Sequence, residues 1–148
     1  MGESFRDLIV WQKAMAFVTD VYLATDAFPA REMYGITNQI RRAAVAIPSD
    51  IAEGQGRISK KEYLQMLSRA RGSCYEVQTQ LEISRNLKFL SPEAFTDLDA
   101  KAAEVGRLLN GLMKNIRRQI KEDEVRPPKT LDLTANTQEP TNWITKDY

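Results

Sequence analysis

Histidine is absent from this chain, and cysteine occurs once, at Cys74. The first absence removes the commonest general base, the usual partner of a nucleophilic serine or cysteine, and the commonest transition-metal ligand. The second excludes an intramolecular disulfide and any cysteine metal cluster. Little remains for hydrolase or metalloenzyme chemistry, so the expectation is a protein that is not an enzyme and needs no cofactor or metal. No run of about 18 apolar residues occurs, which removes a membrane span from consideration. The opening MGESFRDLIVWQK lacks the basic, apolar and small-residue regions of a secretory signal, making the cytoplasm the expected location. Strand-like alternation of apolar and polar residues is also missing.

What the chain does contain is ordinary for one globular domain: 148 residues, 43% hydrophobic and 28% charged. The net charge of +1 conceals an asymmetry, because residues 1–121 carry 18 basic against 14 acidic side chains and residues 122–148 carry 3 against 6. The body is mildly basic and the tail acidic.

Helical periodicity organises residues 1–121 into four segments. The first, about 6–26, repeats Leu8, Trp11, Ala14/Met15, Val18 and Val21/Tyr22, thickened by Ile9, Val10, Phe17 and Leu23. Its apolar surface is wider than one bundle seam requires, which points to subunit contacts. The second, about 32–54, places Ile36, Ile40, Ala43/Ala44, Ile47 and Ile51 on one stripe and contains Pro48, expected to bend it. The third opens on Ser59-Lys60-Lys61-Glu62, a capping box, and carries Tyr63, Met66/Leu67, Ala70, Cys74, Val77, Leu81 and Ser84. The fourth opens on Ser91-Pro92-Glu93, an N-cap with proline in the first turn. Its seam is Phe95, Leu98, Ala102, Val105, Leu109, Leu112, Ile116 and Gln119/Ile120. The fold class expected is all-α, an antiparallel up-and-down four-helix bundle at 1–121. Residues 122–148 read as an extended or disordered acidic and polar tail. Trp143, Ile144 and Tyr148 in that tail are either incidental or a short motif docking on a neighbour.

Candidate sites follow from charge and spacing. On the fourth segment Arg107, Lys114, Arg118 and Lys121 fall within about 60° of helical arc opposite the seam, with Arg117 beside them. Such a stripe suits the phosphates of a nucleic acid, and its competing reading is a solvated helix face. A second cluster, Arg57, Lys60 and Lys61, with Arg69 and Arg71 on the same helix, could also contact phosphate. Local pairing with Asp50, Glu53 and Glu62 competes with that. Gly54-Gln55-Gly56-Arg57 is not a phosphate-cradling loop, because a helix precedes it and no Gly-Lys-Ser/Thr follows. Gly54 or Gly56 is expected to be the left-handed residue that ends the second helix. Gly72, in mid-helix, is expected to let another backbone approach, and Cys74 to be a buried structural thiol.

Residues 41–84, RRAAVAIPSDIAEGQGRISKKEYLQMLSRARGSCYEVQTQLEIS, resemble a family of small bacterial four-helix-bundle proteins from intervening sequences of large-subunit ribosomal RNA genes. The resemblance rests on Ile47, Pro48, Ile51, Ala52, Glu53, Gly54, Arg57, Ser59, Glu62, Ala70, Gly72, Ser73, Glu76, Gln80 and Leu81, with Leu8, Trp11 and Ala14 upstream. Of these, Pro48, Ile51, Glu53, Gly54, Arg57, Gly72, Ser73 and Glu76 form its structural signature. Asp50 stands where the family commonly has Asn, and Asn86-Leu87-Lys88 replaces the usual glycine before the fourth helix. The resemblance implies a homopentameric ring and kinship with accessory proteins of diversity-generating retroelements, which bind nucleic acid and a reverse transcriptase. The function expected is a non-enzymatic homo-oligomeric scaffold that binds RNA or DNA. The alternative is a protein–protein adaptor for a polymerase, a reverse transcriptase or another partner.

Overall fold

The structure, a computed structural model, describes residues 4–126. Four helices form an up-and-down bundle: α1 (Ile9–Thr25), α2 (Ile36–Gln55), α3 (Lys60–Asn86) and α4 (Pro92–Val125). Each helix packs on its neighbour in sequence, and α1 closes the bundle against α4, while the diagonal pairs stay apart. Ion pairs and hydrogen bonds across the seams fix the antiparallel order. Lys60 at the start of α3 meets Asp123 at the end of α4, and Gln78 late in α3 meets Asp99 early in α4.

The helix starts and stops follow local chemistry. A short 3-10 turn at Phe5–Asp7, capped by Ser4 Oγ, precedes α1 and ends at Leu8. A second 3-10 turn at Ala30–Glu32 delays α2 to Ile36, beyond Gly35. Ser59 Oγ accepts the Glu62 N–H at 3.0 Å and Ser91 Oγ accepts the Ala94 N–H at 3.1 Å, so both serines cap as their sequences predict. The reciprocal half of the Ser59 box, from Glu62 back to the serine N–H, is not formed.

One core runs the length of the bundle. The predicted stripes of α2 and α3 are buried almost residue for residue, from Ile40 to Ile51 and from Met66 to Ser84. In α4, Met113 is fully buried and Leu112 only half, so the buried line drifts by one position from the predicted seam. In α1 the buried line is Val10, Ala14, Phe17, Val21 and Thr25, not Trp11 and Val18, which are half-buried. The wide apolar surface expected of α1 is divided: its inner line meets the core, while Ile9, Met15, Tyr22 and Leu23 face outward.

Three expectations change. Helix α4 continues to Val125 and takes in residues 122–125, which were assigned to the tail. Asp123 and Glu124 reach Lys60 and Lys61 of α3 at 2.7 and 3.7 Å, so the acidic run has cationic partners across the seam. Residues 127–148, Trp143, Ile144 and Tyr148 among them, lie outside the described residues. Neither Gly54 nor Gly56 is left-handed: Gly56 caps α2 at φ −80° and ψ −5°, and no described glycine has positive φ. Finally, Lys88 has φ 63°, the sole non-glycine in that region among the described residues. The Phe89 N–H donates to the Ser84 carbonyl at 2.8 Å and the Lys88 N–H to Arg85 at 2.9 Å. This is a Schellman closure of α3 with lysine where glycine is usual.

Candidate nucleic-acid interface

Local helix geometry positions the basic side chains of α4. With 3.6 residues per turn, a seam buried at Leu98, Val105, Leu109 and Ile116 puts residues 107, 114, 118 and 121 on the far side. Arg107, Lys114, Arg117, Arg118 and Lys121 are all exposed. From 107 to 121 the stripe runs roughly 21 Å along the helix at 1.5 Å per residue. Arg118 lies 3.9 Å from Glu122 and donates to Asn115 Oδ1 at 2.5 Å. Arg107, Lys114, Arg117 and Lys121 make no ion pair or hydrogen bond among the described residues. Beside the stripe, Arg71 of α3 donates to Asn110 Oδ1 at 3.2 Å, which adds a cation from the neighbouring helix.

The second basic cluster behaves differently. Arg57 pairs with Glu53 one turn back, Lys60 with Asp123 at 2.7 Å, and Lys61 with Glu124 at 3.7 Å. The Lys60 ammonium holds the Asp123 carboxyl below the usual carboxylate range, chiefly through their hydrogen bond. Arg57, Lys60 and Lys61 each already have a carboxylate, so a phosphate there would have to displace one, while Arg69 and Arg71 of the same helix make no ion pair among the described residues. The two clusters, alike in sequence, are separated by the structure into a stripe in which only Arg118 is paired and a neutralised turn.

The signature residues divide by role. Pro48 and Ile51 are buried in the core face of α2. A Cβ on Gly54 would lie 2.8 Å from Met66 Cβ and 2.9 Å from Tyr63 Cδ2, so glycine there lets α2 and α3 approach. Glu53 and Arg57 form a surface pair at the α2–α3 turn. Gly72 and Glu76 line an open groove between α2 and α3, with Ser73 half-buried beside them. Nothing lies within 4 Å of a Cβ built on Gly72, so the close approach expected there does not come from this chain. Cys74 is buried in the core, and burial pushes its thiol up to about 12.

This groove is the feature the sequence reading did not find. Arg42, Ala43 and Ala46 of α2 and Gly72, Tyr75 and Glu76 of α3 line it, together with Tyr34, which is 94% exposed. The signal available was the juxtaposition of small residues on α2 and α3 at matching depth, legible once their register is known. Among the described residues no group of three or more histidine, cysteine, aspartate or glutamate side chains could hold a metal ion. No described helix is long and apolar enough to cross a membrane.

The model of the 23S rRNA-intervening sequence protein family matches residues 6–111. The chain belongs to this family. The match takes in α1, α2, α3 and the first half of α4, and so includes Arg107 but ends before the other four cations of the stripe. Among solved structures, the chain is similar to a protein of unknown function from the S23 ribosomal protein family of Bacteroides thetaiotaomicron. The two share 19% identity over 72% of this chain and 99% of that one, with a TM-score of 0.66, a likeness of fold. No curated protein matches the chain.

Proposed function

We propose that this member of the 23S rRNA-intervening sequence protein family is a non-enzymatic, homo-oligomeric scaffold that binds nucleic acid, RNA foremost, through the outer face of α4. The observation that carries the reading is the exposed stripe of Arg107, Lys114, Arg117, Arg118 and Lys121, four of whose cations have no partner among the described residues. Cations left unpaired on one helix line keep their full attraction for a polyanion, and binding releases the counterions condensed on its phosphates. The absence of histidine from the sequence and the Glu53–Arg57 pairing weigh against a carboxylate mechanism at the 47–57 turn. Family resemblance implies a pentameric ring, and in such an assembly the stripe would repeat around it.

Filter binding with structured RNA over a salt series tests this. Affinity should fall steeply between 50 and 200 mM salt, on the order of tenfold or more for several phosphate contacts. Charge reversal at Lys114 and Lys121 should abolish it. Absence of binding at low salt would refute the reading.

A second reading, a protein–protein adaptor acting on a polymerase, reverse transcriptase or other partner, is favoured by the open α2–α3 groove with Tyr34 and Tyr75 exposed beside it. Association with a purified partner that survives nuclease and is lost on Tyr75→Ala would support this reading over the first.

A further inference from the structure

The basic face of α4 has a second property besides charge: among the described residues no aromatic ring accompanies it. The one aromatic residue of α4, Phe95, is buried in the core at the other end of the helix. The exposed aromatic rings among the described residues belong elsewhere. Tyr22 lies under the Arg41 guanidinium at 4.6 Å, and Tyr34 and Tyr75 line the α2–α3 groove. Single strands are held by stacking their bases on such rings inside a positively charged groove. Among the described residues the α4 stripe offers no ring and, apart from a shallow open cavity at Lys121, no groove, because it is the ridge of a helix whose opposite side is the core.

Charge along α4 is also bounded. Glu93, Asp97, Asp99 and Glu104 precede the stripe, with Lys101 among them paired to Asp97 and Asp20, and Glu122, Asp123 and Glu124 follow it before Arg126. The stretch of α4 with unopposed positive charge is therefore residues 107 to 121, roughly 21 Å of ridge. A surface that acts by charge alone favours the polyanion of highest linear charge density. Counterion release per contact is larger on a duplex, with a slope of about −0.9 per phosphate against about −0.7 on a single strand.

We infer that the ligand of the α4 face is the phosphate backbone of a double-helical nucleic acid, contacted without base readout. This rests on the nucleic-acid reading above and narrows it to duplex segments, RNA stems included. The test compares a 20-base-pair RNA duplex, a DNA duplex of the same length and single-stranded poly(U) of 20 nucleotides, each titrated against the full chain at several salt concentrations. Both duplexes should bind at least tenfold tighter than poly(U), and within about threefold of one another. The log–log salt slope should be about −4 or steeper, and Lys114→Ala or Lys121→Ala should each make it shallower by about 1. Circular dichroism of these exposed variants separates lost contacts from lost fold. Poly(U) binding as tightly as the duplexes, a more than tenfold preference between the duplexes, or an unchanged slope in both variants would overturn the inference. Failure of all three ligands to bind would remove the nucleic-acid reading itself.

Discussion

Gly54 and Gly72 show how little a residue type says without its surroundings. Both are helical glycines of the family signature, and glycine in a helix interior costs about 0.5–1 kcal/mol relative to alanine. At Gly54 a methyl group would overlap Met66 and Tyr63, whereas at Gly72 it would meet open space. Gly54→Ala is therefore expected to destabilise the fold by about 1–3 kcal/mol through overpacking. Gly72→Ala should stabilise the single chain by about 0.5–1 kcal/mol. Urea unfolding of both variants checks the pair, and a destabilising Gly72→Ala would mean that a second molecule covers the groove. Asp50 is the other residue with an argument of its own. Partial burial pushes its carboxyl above the usual carboxylate range, opposed by Arg69 and reinforced by Glu53. The folded state thus holds the Asp50 proton more tightly than the unfolded state, and stability falls as pH rises from about 4, the unfolded value. Asp50→Asn, the residue common in the family, should raise the melting temperature at pH 7. The gain should vanish at pH 3, where Asp50 is protonated in both states. A lower melting temperature at pH 7 would show that the attraction to Arg69 dominates.

At the scale of elements, the α3–α4 connection carries the clearest local conflict. The Schellman closure needs a left-handed residue after Leu87, and lysine occupies it at φ 63°. A side chain in that region costs roughly 1–2 kcal/mol, part of which glycine would return as unfolded-state entropy. Lys88→Gly is expected to stabilise the bundle by about 0.5–1 kcal/mol, read by thermal or chemical unfolding. The Phe89 and Lys88 hydrogen bonds explain why the turn keeps its shape without glycine. Helix α1 is fastened by different means. Arg41 Nε donates to Thr25 Oγ1 at 2.8 Å, and its guanidinium lies over Tyr22, joining α1 to α2. On the other side, Lys101 reaches Asp20 at 2.9 Å and Lys13 reaches Glu104 at 3.5 Å, so polar contacts supplement the α1–α4 packing.

For the whole molecule the unresolved business is apolar surface that the bundle does not cover. Ile9 is 63% exposed and Leu23 70%, both on the outer side of α1. Scattered exposed apolar residues need no explanation, but here they share a helix with Met15 and Tyr22 and accompany an open groove on α2 and α3. The proposed homo-oligomer accounts for them. Light scattering should give a mass that is a multiple of the 16.9 kDa chain, five chains for the ring that family resemblance implies. Leu23→Glu should lower that mass with helix content unchanged. A wild-type mass of one chain would discard the oligomer.

Sequence by itself determined the helices, their caps at Ser59 and Ser91, the core lines of α2 and α3, and family membership through the 47–57 turn. These depend on periodicity and on residues within one or two turns of each other, which any reader of the chain can align. Tertiary structure alone decided which cations are free. Lys60 and Lys61 are neutralised by Asp123 and Glu124, some sixty residues away, while Lys114 and Lys121 are not. It also decided that Gly54 is a packing contact and not a turn, and that Gly72 faces a groove. Charge pairing and close approach are relations between segments distant in sequence, so they exist only once the helices have taken their places.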